Sequence, residues 1–175
     1  MKSCLLVIDV QNDFVTGSLG SKEAEAIVPA VMEKVKSFQG NVIFTRDTHY
    51  EDYLNTQEGK FLPVVHCQKG TEGWNLIPEL EEFRTANGCD TYDKTIFGSV
   101  ELIQALADRY RDGELDSVTI IGLCTDICVV SNALMLKSTL PELPITVDKA
   151  CCAGVTPAKH EAALETMASC QIIIE

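Results

Sequence analysis

Five short stretches of the chain are apolar or β-branched at consecutive positions rather than at every second one. They are Leu5-Leu6-Val7-Ile8, Val42-Ile43-Phe44, Val118-Thr119-Ile120-Ile121, Ile145-Thr146-Val147 and Ile172-Ile173-Ile174. A strand that is apolar on both faces has to be covered on both faces, which is the situation of a parallel sheet packed between helices. A weaker strand is expected at Asp90-Thr91-Tyr92. Between the strands the apolar period changes to about 3.6. The spacing predicts helices over 23–38, 100–110, 126–140 and 157–168, the last with Thr156 as N-cap and Pro157 in the first turn. Strands alternating with helices imply right-handed crossovers and a three-layer α/β/α sandwich. The expectation is a doubly wound, Rossmann-like, mostly parallel sheet of about six strands, folded as one domain over residues 1–175.

Composition narrows the partners. Lys plus Arg is 14 against 26 for Asp plus Glu, giving a net charge of −12 and a pI near 4.6. Such a chain lacks the basic face that nucleic acid or an anionic membrane requires. No apolar run approaches the ~20 residues of a membrane span, and Asp9 interrupts the apolar start after five residues, so no signal peptide is expected there. A reducing, cytoplasmic setting follows, with the 8 cysteines expected as free thiols. None of them forms a C-x-x-C pair.

In a doubly wound sheet, sites gather at the carboxyl ends of the strands. Asp9 follows the first strand, where it is either a turn-closing acid or a functional carboxylate. Asp13 reads as a turn or cap. The second strand runs into Arg46-Asp47-Thr48-His49, with Asp47 and His49 on one face if the chain is extended. That pair is either solvated or shares a divalent metal, with His66, 17 residues beyond His49, as a further imidazole. After the third run comes Gly122-Leu123-Cys124-Thr125-Asp126-Ile127-Cys128-Val129. Cys128 falls in the first helical turn, capped by Thr125 or Asp126, where the helix dipole lowers a thiol pKa. The alternative for any cysteine is a small buried hydrophobe, which suits Cys4, Cys151, Cys152 and Cys170 better than Cys128. Lys94, after the weak strand, is either a surface charge or a partner for Asp9 and a thiolate. His160 reads as a packing or surface residue.

The segments Asp9-Val10-Gln11-Asn12-Asp13-Phe14, Asp93-Lys94 and Gly122 to Val129 resemble, in order and over nearly the whole chain, the isochorismatase-like cysteine hydrolase superfamily. Within it the likeness is greatest to nicotinamidases, whose Asp-x-His and His-Cys-x-x-Gly-Thr segments are matched by Asp47, His49 and His66 to Thr71. The resemblance implies a triad of Asp9, Lys94 and Cys128. It implies an oxyanion hole from the backbone N–H groups of Cys124 and Cys128, next to a cis peptide between Leu123 and Cys124. It also implies a divalent metal, zinc first with iron or manganese as alternatives, held by Asp47, His49 and His66. Glu58 is the better match by spacing for a further ligand and Glu51 the poorer. Phe14 and Phe97 fall at the pocket walls. The sequence departs from many nicotinamidases at Phe61-Leu62-Pro63-Val64-Val65 and at Phe97-Gly98-Ser99-Val100, both beside the pocket. The implied activity is hydrolysis of a small carboxamide, nicotinamide above all, through a thioester. The rivals are a metal-independent cysteine hydrolase for another amide or ester, and a non-catalytic binding protein. A homo-oligomer is the expected assembly.

Overall fold

The computed structural model describes residues 2–175. In chain order the elements are β1 (Ser3–Ile8), α1 (Asn12–Val15), α2 (Lys22–Ser37), β2 (Asn41–Asp47), α3 (Gln57–Phe61), α4 (Pro78–Asn87), β3 (Thr91–Lys94), α5 (Val100–Arg111), β4 (Ser117–Leu123), α6 (Val130–Thr139), β5 (Ile145–Ala153), α7 (Pro157–Ser169) and β6 (Ile173–Ile174). All pairings in the six-stranded sheet are parallel, in the order β3-β2-β1-β4-β5-β6.

The unbroken apolar runs feed two cores at once. Along β1, Cys4, Leu6 and Ile8 point to the side covered by α5, α6 and α7, where they meet Leu102, Leu106, Leu136 and Met167. Leu5 and Val7 point to the other side, against Ala24, Val31 and Val35 of α2 and Leu80 of α4. Leu5 to Ile8 are completely buried, and each such side chain contributes about 1.5–3 kcal/mol of hydrophobic stabilisation.

The helices fall close to the predicted spans. Helix α2 is capped by Ser21, which accepts from the Ala24 N–H, and α7 by Thr156, which accepts from the Lys159 N–H. Three features differ. Helix α4 lies in a stretch with no predicted element, because only Leu80 of its ten residues is buried and its apolar period is faint. The weak strand begins at Thr91 and ends at Lys94, so the lysine stands on the strand end and not beyond it. The predicted helix over 126–140 opens as a π-helical turn, Thr125–Val129, before α6. Among the described residues, no helix is long and apolar enough to cross a membrane.

The chain leaves β1 toward β2 on one side and crosses to β4 on the other. The strand order therefore reverses between β1 and β4, and a crevice opens outside their carboxyl ends. Asp9 and the Cys124–Cys128 turn stand at its two lips. Here β1 and β4 are unusually close. Gly122 pairs with Ile8 and has φ 119°, and a Cβ on it would strike the Ile8 carbonyl oxygen. The Leu123–Cys124 peptide is cis. Gly122→Ala is therefore expected to cost about 3 kcal/mol from the disfavoured φ and the overpacking together. Urea unfolding checks this, and an unchanged midpoint would remove the close-approach argument.

Candidate active site

Parallel register brings the strand ends together. Asp47 pairs with Lys94 across β2 and β3, and Asp9 follows β1 in the adjacent position with φ 48°. The Lys94 ammonium lies 2.6 Å from Asp9 Oδ2, 3.4 Å from Cys128 Sγ and 3.5 Å from Asp47 Oδ1. The other Asp9 oxygen accepts from the Thr45 hydroxyl at 2.6 Å. Asp9, Lys94 and Cys128, which come from three distant segments, thus meet in one buried cluster.

Electrostatics in that cluster are set first by burial. Burial lifts the Asp9 carboxyl above the usual carboxylate range, with Lys94 opposing the shift. Burial pulls the Lys94 ammonium down, but Asp9, Cys128 and Asp47 outweigh it and hold the lysine charged. Cys128 departs from the expectation of a lowered thiol pKa. Burial pushes it well above the ordinary value, Lys94 pulls it back, and the Asp9 charge pushes it up again. The helix start that was to favour the thiolate is a π turn in a dry site, and desolvation of an anion there exceeds what a dipole returns. Cys128 thus combines a raised thiol pKa with the Asp9 carboxyl as a near neighbour.

The second cluster shares Asp47 with the first. Ligand atoms of Asp47, His49, Glu58 and His66 all lie within 4.8 Å of one another. His49 Nε2 is 2.9 Å from Asp47 Oδ2 and 3.6 Å from Glu58 Oε1. His66 Nε2 is 3.5 Å from the same Asp47 oxygen. The His66 Nδ1–H donates to the Val64 carbonyl at 2.8 Å, which turns Nε2 toward the carboxylates. Two imidazole nitrogens and two carboxylates converging in this way fit a zinc-like divalent ion. Burial and the Asp47 charge raise the Glu58 pKa. The hydrogen bonds from both histidines and the Lys94 charge overcome burial and hold the Asp47 carboxyl well below its usual range. Glu51 is exposed and stands outside the cluster.

Several residues that position these groups carried no role in the sequence reading. The Gln11 side chain clamps the Asp47 backbone: its Oε1 accepts from the Asp47 N–H at 2.7 Å, and its Nε2 donates to the Asp47 carbonyl at 2.9 Å and the Trp74 carbonyl at 2.8 Å. Asp13, read as a local turn or cap, reaches 54 residues along the chain to accept from the Cys67 N–H at 2.7 Å, next to His66. Buried Asn132 donates to the Cys128 carbonyl at 2.8 Å and the Phe97 carbonyl at 3.1 Å, and accepts from the Ser99 N–H at 2.9 Å. It ties the nucleophile turn to the loop after Lys94. The signal for Gln11 and Asp13 was their place in the Asp9–Phe14 motif; Asn132 had none. Neither Thr125 nor Asp126 caps the turn. Thr125 bonds His160 Nδ1 at 2.8 Å, and Asp126 accepts from the Val155 N–H. The pairing gives His160 a packing role, as read. Cys4, Cys151 and Cys152 are buried, but Cys170 is exposed at the end of α7, against the expectation of a core residue.

Both clusters face one cavity of about 880 Å³, lined by Asp47, Glu58, His66, Cys124 and Cys128. Phe14 and Phe97 also line it, and the Phe14 ring packs 5.6 Å from that of His66. Tyr53 backs the histidines, with ring centroids 4.5 Å from His49 and 5.1 Å from His66.

The family model for the isochorismatase domain matches residues 3–175. The chain is 26% identical over 156 residues to a nicotinamidase of Acinetobacter baylyi, covering 74% of this chain and 72% of that one. It superposes on a crystal structure of a Bacillus subtilis nicotinamidase with a TM-score of 0.85 and 26% identity, over 99% of both chains. It superposes on a Pyrococcus horikoshii pyrazinamidase in complex with zinc with a TM-score of 0.81 and 26% identity, over 100% of this chain and 99% of that one.

The opposed influences on Cys128 can be read separately. Lys94 lowers the thiol pKa, so Lys94→Met should move the pH midpoint of Cys128 alkylation upward. Asp9 raises it, so Asp9→Asn should move the midpoint downward. Iodoacetamide rates across pH, followed at Cys128 by mass spectrometry, test both. Shifts of the same sign in the two variants would contradict the geometry.

Proposed function

The chain belongs to the isochorismatase family and hydrolyses amide bonds; from that premise we propose that it cleaves nicotinamide to nicotinate and ammonia through a thioester on Cys128. The observation that carries this reading is the single Lys94 ammonium in contact with Asp9, Cys128 and Asp47. It links Cys128 to the Asp47, His49, Glu58 and His66 group, which in this reading are the nucleophile and the site for the ring nitrogen.

In the proposed reaction, the Cys128 thiol gives its proton to Asp9 as sulfur attacks the amide carbon. Lys94 stabilises the sulfur anion as it forms and keeps its charge throughout. The backbone N–H groups of Cys124 and Cys128 donate to the tetrahedral oxyanion. Asp9 then passes its proton to the departing nitrogen, and ammonia leaves. The elevated Asp9 pKa suits a group that must carry a proton between two partners. A water then enters, Asp9 takes its proton, and the hydroxyl attacks the thioester carbon. The carbon–sulfur bond breaks, the acid is released, and the proton returns to sulfur. Asp47, His49, Glu58 and His66 would hold the divalent ion, zinc by the chemistry of the donors, and a bound ion offers a Lewis-acid position for the pyridine nitrogen. Phe14 and Phe97 flank the ring in this arrangement.

Ammonia release from nicotinamide and from benzamide, measured side by side, is the direct test. Nicotinamide turnover should exceed that of benzamide by about 100-fold or more, because a site built around a polar partner rejects the analogue lacking it. Cys128→Ala should abolish turnover with folding and metal content intact. Protein without metal that cleaves both amides equally would replace this reading with a metal-independent cysteine amidase.

The role of Gln11 has its own readout. Gln11→Leu deletes both bonds that hold the Asp47 backbone and the one to the Trp74 carbonyl, and divalent-ion affinity should fall about 10–100-fold, as for other supports behind metal ligands. Competition against a chromogenic chelator measures it, and wild-type affinity would remove Gln11 from the site.

A further inference from the structure

The cavity is much larger than nicotinamide requires. Its volume of about 880 Å³ lies near the top of the ~300–1,000 Å³ range of pockets that enclose drug-sized ligands, whereas nicotinamide is one six-membered ring with a carboxamide. The surplus space is edged by apolar side chains. Phe61, Ile96, Phe97 and Val155 all line it, and they are respectively 85%, 50%, 38% and 48% exposed. They come from three unconnected segments: the end of α3, the loop between β3 and α5, and the loop before α7. Large apolar side chains standing in water around one opening mark a ligand groove or an interface. Here the patch is continuous with the wall that carries Cys128, which puts it within reach of a molecule bound at that wall.

Resting on the nicotinamidase-type reading, we propose that the substrate class of this site is pyridine carboxamides bearing an apolar extension of several carbons, seated against Phe61, Ile96, Phe97 and Val155. The extension leaves the water at the cavity mouth for these four side chains, while the ring and carboxamide keep their places between the two clusters. The same apolar contact is available to an extension on the ring and to one on the departing nitrogen. In the first case it stays with the acid product; in the second it leaves as an amine.

Three substrates separate these outcomes: nicotinamide, a nicotinamide with a butyl group on the ring meta to the carboxamide, and the N-butyl amide. The holoenzyme should cleave at least one butyl compound with kcat/KM about tenfold or more above nicotinamide, in line with the selectivity of apolar pockets for added methylenes. Phe61→Ser, at a residue too exposed to matter for folding, should cut that ratio severalfold. Nicotinamide turnover with neither butyl compound preferred overturns the proposal and leaves the nicotinamidase reading standing. No turnover of any of the three overturns both. A Phe61→Ser variant that changes the mass of the particle in sedimentation but not the substrate ratio assigns the rim to contact between copies of the chain and overturns the proposal.

Discussion

The buried Lys94 ammonium is the constraint around which the rest of the site is arranged. A lone cation with so little exposure is too costly to keep, and so is a carboxylate like Asp9 with none at all. Each is tolerable because the other is 2.6 Å away. The group is not a simple pair. Lys94 also faces Asp47 and Cys128, so one positive charge is shared among two carboxylates and a prospective thiolate. Removing any member leaves its partners buried and uncompensated, which is the expensive way to break such a cluster. The sharing also leaves negative charge over. Asp9 and Asp47 exceed Lys94 by one, and Glu58 adds to the excess when ionised. A divalent cation between Asp47, His49, Glu58 and His66 would balance it.

Much of this was legible from the sequence, for a physical reason. Doubly buried strands must be apolar throughout, so the runs at Leu5–Ile8 and Val118–Ile121 identify themselves, and the parallel topology puts whatever follows them at one edge. Asp9 and Asp47 stand out as acids at the ends of such runs, and Cys128 by its place in the turn after β4. Lys94 was harder. Its strand is four residues long at the sheet edge, with only Lys94 itself buried, so the apolar signal that marks the other strands is missing. Helix α4 was hidden for the same reason.

What sequence could not supply were contacts between distant polar groups. Gln11 grips Asp47 across 36 residues and Asp13 grips Cys67 across 54. Nothing in the local pattern of either end encodes such a bond. Each donor or acceptor looks like turn chemistry until the chain is folded, because Asn, Asp and Gln serve both purposes. The buried Asn132 illustrates the point: nothing in its helix singles it out, and it holds the Cys128 carbonyl.

The thiol pKa was an expectation that local reasoning inverted. A cysteine at a helix start gains a few tenths to one kcal/mol from the dipole when exposed, but burying an anion costs several times that. At Cys128 the larger effect wins, and burial pushes the thiol pKa up. This suits a hydrolase in which Cys128 lines a cavity of about 880 Å³. A standing thiolate would be open to any electrophile or oxidant that entered. In the proposed reaction, a neutral thiol with Asp9 and Lys94 already in place becomes a nucleophile only when a carbonyl carbon is presented to it, because only then is the separated charge distributed into an oxyanion with donors of its own. The same burial that makes the resting anion unfavourable strengthens the pull of Lys94 on the sulfur once the proton has moved. Reactivity is thus tied to occupation of the site, and the shared ammonium makes both states tolerable.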